Sequence, residues 1–177
     1  MSPRFLNLPA LACLAALVLF AVSANIVFAS LLSVSRDFGV SPESLARVSA
    51  VQFTGFFIAS LAGGLAADRV GKRAVLRCGG LAVMVGGGIW ALARCPSVAY
   101  VGSLIMGLGG GVLEALSSAL LTDLFPERRK WVLNISQVAY CIGAVGGPLV
   151  MGWLLPVGVS WRWFFAGTAC GGAGLFF

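Results

Sequence analysis

The sequence predicts an all-α polytopic membrane protein: a six-helix bundle with five full transmembrane helices and a truncated sixth. Three observations predict it. Hydrophobic residues make up 59% of the 177-residue chain and charged residues only 10%, against roughly 45–50% and ~25% in soluble domains. The few charges sit in short islands separated by long uncharged runs. The 24 glycines occur in a chain this apolar, which excludes disorder, because disordered chains are poor in apolar residues. The chain has no His, which removes imidazole metal sites and Ser-His-Asp chemistry. No phosphate loop or nucleophile–base pair is visible either, so no enzyme activity, metal or cofactor is expected.

The uncharged runs set the spans. Arg4 and Arg36 bracket 31 uncharged residues, Arg47 and Asp68 bracket 20, Arg77 and Arg94 bracket 16, and Lys130 and Arg162 bracket 31. Between Arg94 and Asp123 the only charge is Glu114. Crossing a hydrocarbon core of ~30 Å takes about 20 helical residues. Spans are therefore expected near 8–33, 45–67, 76–94, 98–122 and 131–155, with Arg77 and Arg94 snorkelling at the ends of the short third. The sixth, 161–177, has only 15 residues after Arg162, which suggests a truncated chain with residues 1–177 as one bundle. A cleaved leader is the weaker reading of the first span, whose apolar run continues beyond a signal core of about 7–15 residues.

Positive charge orients the bundle. Arg4, Arg69, Lys72, Arg73, Arg77, Arg128, Arg129 and Lys130 fall on one side, and Arg36, Arg47, Arg94 and Arg162 on the other. The richer side is expected to be cytoplasmic, with the N-terminus, in a multi-pass protein of the cell membrane. The basic balance is then explained by the lipid bilayer, and no nucleic-acid partner is expected. Of the five cysteines only Cys95 is placed outside, so no disulfide or CxxC redox pair is expected.

Local signals support this segmentation. Ser41-Pro42-Glu43 combines a cap hydroxyl, a first-turn proline and an acid. Pro148 removes a hydrogen bond inside the fifth span and is expected to bend it. Small residues recur every four positions: Ala59, Gly63 and Ala67; Ser103, Gly107 and Gly111; Gly143 and Gly147. In lipid such stripes let helix backbones approach closely.

Polar residues inside spans are the candidate site. Glu114 lies mid-span, where an ionised side chain costs about 2.5–3.5 kcal/mol. It shares a face with Gly107, Gly110, Gly111, Ser117 and Ser118, a stripe expected to border water. Low dielectric favours the protonated form of a carboxyl, so an acid there could load and release a proton; a permanently neutral Glu bonded to another helix is the alternative. Asn134, Gln137 and Tyr140 recur at helical spacing on the fifth span, and Asn25 lies on the first. They suit a hydroxyl-rich small-molecule ligand or helix–helix contacts.

The turn after the second span reads Gly64-Leu-Ala-Ala-Asp68-Arg69-Val-Gly71-Lys72-Arg73, with Gly71 suited to positive φ. It resembles the signature loop of the major facilitator superfamily, G-x-x-x-D-R-x-G-[RK]-[RK]. Asp123-Leu-Phe-Pro126-Glu127-Arg128-Arg129 and Ser160-Trp-Arg-Trp163 are similar to further family segments. The resemblance implies half of a twelve-helix transporter fold, here the amino-terminal half, partnered by a missing C-terminal six-helix half. It also implies a cytoplasmic gating cluster in which Asp68, Arg69 and Arg73 join Asp123 and Arg129.

Within the superfamily, Gly107-Leu-Gly-Gly-Gly-Val-Leu-Glu114 with Leu133-Asn134-Ile-Ser-Gln137 is similar to the fucose permease-like sugar–proton symporters. That resemblance implies sugar and proton handling by Glu114, Asn25, Asn134 and Gln137. Gly143-x-x-x-Gly147-Pro148-x-x-x-Gly152 partly resembles the drug–proton antiporters, although Ser103 stands where their fourth-helix motif carries Arg. A non-transporting membrane scaffold is the third alternative.

Overall fold

The computed structural model describes residues 7–175. Six α-helices form among them: α1 (Leu8–Phe38), α2 (Pro42–Val70), α3 (Lys72–Ala91), α4 (Pro96–Leu124), α5 (Arg129–Leu154) and α6 (Trp161–Gly174), with a short 3-10 turn, Pro126–Arg128, before α5. Five helices are long and apolar enough to cross a membrane. α6 has 14 residues, about 21 Å at 1.5 Å per residue. Arg4 and the last two residues of the expected sixth span lie outside the described residues.

Each expected span coincides with a helix, but the ends move for local reasons. α1 continues past 33 to Phe38, where Gly39 at φ 64° supplies a left-handed cap. α2 begins at Pro42 because the Ser41 hydroxyl accepts from the Ser44 amide at 3.3 Å. It ends at Gly71, whose φ is 90°. That is the positive φ expected there, so α3 starts at Lys72 rather than at 76. α3 stops at Ala91 rather than 94, and Pro96 opens α4. α5 runs through Pro148, which leaves the Ala144 carbonyl without its usual i+4 donor.

α4 is the hub. It packs along α2 on one side and α3 on the other, while α1 lies against α5 and α6 against α3. The small-residue stripes make these contacts. A Cβ at Gly107 or Gly111 would run into the α2 carbonyls of Gln52 or Phe56, and one at Gly143 into the α1 carbonyl of Val18. The α3–α4 crossing is also tight: a Cβ at Gly109 would sit 2.6 Å from the Gly79 carbonyl oxygen, and one at Gly86 would sit 2.6 Å from the Met106 amide nitrogen. Without a hydrophobic force between helices in lipid, such backbone proximity is what holds the bundle together.

The end of the bundle away from Lys72 and Arg129 is tied by a polar and aromatic clamp. Asp37, at the end of α1, accepts from the Trp161 indole at 2.8 Å and from the Arg162 guanidinium at 3.1 Å. Arg162 also donates to the Ala93 carbonyl at 3.0 Å, and its guanidinium lies 4.3 Å from the centre of the Trp161 ring. Beneath it, Trp90 stacks on Phe165 at 4.4 Å and donates to the Ser103 hydroxyl at 2.8 Å. The clamp joins α1, α6 and the end of α3; the stack beneath it adds α4.

Candidate functional site

Glu114 is half-buried on α4, two turns beyond Gly107. The glycines on its face have a different role from the expected one: Gly107 and Gly111 are filled by α2, and Gly110 by the Phe20 ring of α1. They bring aromatic neighbours up to Glu114 rather than lining water themselves. The opening lies beside the carboxyl, a cavity of about 270 Å³ lined by Leu17, Phe20, Phe53, Phe56, Glu114, Gln137 and Tyr140. Phe20 and Phe56 stack at 5.2 Å with planes 8° apart, and Phe20 meets Tyr140 at 5.6 Å. Among the described residues Glu114 makes no hydrogen bond or ion pair, so its carboxyl is free for a solute, water or proton.

The sequence candidates divide. Glu114, Gln137 and Tyr140 share this cavity. Asn134 is exposed on α5 one turn from Gln137. Asn25 is half-buried on α1, and its amide donates to the Ala21 carbonyl of its own helix at 2.8 Å. Neither asparagine lines the cavity. The aromatic wall of Phe20, Phe53 and Phe56 was missed; the rings of α2 recurring at 53, 56 and 57 were the available signal. Also missed was the buried Gln52, which donates to the Ser23 carbonyl across α1–α2 at 3.2 Å.

The signature turn forms a second locus. Asp123 pairs with Lys72, which was expected only as part of the motif, rather than with the arginines named for the cluster. Gly64, Asp68 and Lys72 border a shallow hollow between α2 and α4, while Arg69, Arg73 and Arg129 are exposed and do not line it. Asp68 has no ion pair among the described residues. The Lys72–Asp123 pair is partly exposed and worth about 0–1 kcal/mol alone.

The chain is an all-helical bundle of apolar, membrane-length helices with an unpaired acid in an internal cavity and a charged turn at one end. Residues 11–177 match the Major Facilitator Superfamily, and the chain belongs to that family. It is 31% identical over 158 residues to a multidrug resistance protein B homolog of Mycobacterium tuberculosis, covering 86% of this chain and 28% of that protein. It is also 31% identical over 132 residues to a probable plastidic glucose transporter 3 of Arabidopsis thaliana, covering 73% of this chain and 27% of that protein. The fold matches the proton:xylose symporter XylE with a TM-score of 0.84 at 19% identity, over 95% of this chain and 42% of that one. The chain thus spans little more than a quarter of these sequence relatives' length. It is a transporter-family chain and not an enzyme; sugar carriers and multidrug proteins stand side by side among its relatives.

Proposed function

We propose that this chain forms the amino-terminal half of a proton-coupled secondary transporter of the cell membrane, with Glu114 as the proton-carrying group. Its N-terminus and charged turn face the cytoplasm, the orientation favoured by the excess of Lys and Arg on that side. The observation that carries the reading is an unpaired carboxyl beside Gln137 and Tyr140 in a cavity among the membrane-spanning helices. A carboxyl there is costly unless it is neutralised or hydrated, and a solute site reached alternately from each side supplies that need. Alternating access comes from rocking against a second six-helix half about the midplane. The exposed charges at the α2–α3 and α4–α5 turns, Asp68 and Arg69 among them, bias that equilibrium by pairing in one state and hydrating in the other.

Sugar–proton symport is the leading substrate reading. The amide of Gln137 and the phenol of Tyr140 can exchange hydrogen bonds with hydroxyls without burying another charge. A second reading, export of a lipophilic solute in exchange for protons, is favoured by the three phenylalanines of the cavity wall, which offer faces for stacking and cation–π contact. In cells making the full-length transporter, the first reading expects sugar addition to alkalinise the medium and Glu114→Gln to abolish the change. Proton-dependent efflux of a cationic dye, indifferent to sugars, would replace it with the second. Coupled uptake that survives Glu114→Gln removes the proton-carrying role.

A further inference from the structure

Among the described residues, four buried side-chain polar atoms have no hydrogen-bond partner: the hydroxyls of Ser49, Ser117 and Ser118, and the Gln52 Oε1. Two of them flank Glu114 on its own helix. Ser117 is fully buried and three residues on; Ser118 is four residues on. Helix geometry puts them about 4.5 and 6 Å from Glu114 along the axis, within about 60° of its direction. A serine inside a helix ordinarily returns its hydroxyl to a carbonyl one turn back, as Ser23, Ser30 and Ser136 do here. Ser117 and Ser118 do not.

An unmet buried hydroxyl costs about as much as the hydrogen bond it lacks, and such groups are met by internal water where there is room for it. Both hydroxyls lie on the side of Glu114 toward the basic turns. On the other side lie the stacked rings of Phe20 and Phe56, the Phe20 ring packed against Gly110. Beyond those rings, at the level of Gly107, lie Gln52 and Ser49. The polar groups without partners therefore fall into two sets along the bundle, Ser117 and Ser118 on the side of Glu114 toward the basic end and Gln52 and Ser49 on the side away from it.

We infer that Ser117 and Ser118 are positioning residues that hold the water through which Glu114 exchanges its proton with the basic, cytoplasmic side. This rests on the reading of Glu114 as the proton-carrying group. The step is balanced: the carboxyl releases one proton to the adjacent water, that water passes one of its own onward, and each serine hydroxyl accepts one hydrogen bond and donates another. The serines end unchanged, and one proton has moved.

The test uses the full-length transporter in lipid, with D2O as the probe, and follows by infrared difference spectroscopy the carboxylic acid band that Glu114→Gln removes. In the wild type the band shifts as fast as D2O is delivered. In the double variant Ser117→Ala/Ser118→Ala it shifts about tenfold more slowly, the rate equivalent of one hydrogen bond of ~1.4 kcal/mol. The double variant Ser117→Thr/Ser118→Thr, which keeps both hydroxyls, restores the fast rate. A packing role alone would leave the exchange rate unchanged while lowering thermal stability. Equally fast exchange in the alanine variant overturns this inference and leaves the parent reading standing. If no exchanging band disappears in Glu114→Gln, the parent reading itself fails.

Discussion

The α3–α4 crossing offers a perturbation whose sign can be worked from the coordinates. At Gly86 an added Cβ would lie 2.6 Å from the Met106 amide nitrogen, 2.6 Å from the Met106 Cγ and 2.8 Å from the Gly102 carbonyl oxygen. Two of those three atoms are backbone, so the helices must separate rather than a side chain swing aside. Overpacking of that kind costs about 1–3 kcal/mol or more, whereas replacing a helical glycine by alanine returns up to about 1 kcal/mol. Gly86→Ala should therefore destabilise. Gly88, two residues along the same helix, has nothing within 4 Å of its added Cβ, so Gly88→Ala should be neutral or stabilising. The readout is the temperature at which the buried Cys13 thiol becomes reactive, in a background with Cys78, Cys95, Cys141 and Cys170 changed to serine, those four being exposed. For chains of this length about 2–4 °C is expected per kcal/mol. Equal shifts for the two variants would refute the claim that backbone contact holds this crossing.

Arg162→Met removes the donors to Asp37 and to the Ala93 carbonyl; with the group partly exposed, a loss of about 1–2 kcal/mol is expected in the same thermal assay. Trp161→Phe removes only the indole donor to Asp37 while keeping an apolar ring, and should cost less than Arg162→Met. Lys72→Ala, breaking the exposed pair with Asp123, should leave thermal stability within about 1 kcal/mol. If the charged turn gates access as proposed, Asp68→Asn changes the labelling rate of Cys95 by a membrane-impermeant maleimide in the full-length transporter; an unchanged rate reduces Asp68 to a helix-end residue.

How much of this could be read in the sequence varied with the range of the interactions. Charge spacing located every membrane helix, because the cost of a charge in hydrocarbon is large and local. Helix ends depended on single cap residues, so Gly39 and Ser41 moved boundaries by three to five residues from the charge-based limits. Glu114 stood out as an isolated acid in an apolar run, and Gln137 and Tyr140 by their spacing. The glycines beside Glu114 could not be interpreted from one helix, since a small residue can face either water or a neighbouring backbone; only the tertiary contacts decide. The Asp37–Trp161–Arg162 clamp joins residues more than 120 positions apart, and no periodicity within one helix can reveal it.

The central claim is that position 114 meets water inside the bundle. Its most direct measurement is the reactivity of a cysteine placed there, Glu114→Cys, in the full-length transporter with its native cysteines replaced. The account predicts modification by a small, charged, water-soluble thiol reagent, at a rate that changes when the transporter is shifted between its two open states. Reaction only with lipid-soluble reagents, or with none in either state, would contradict it.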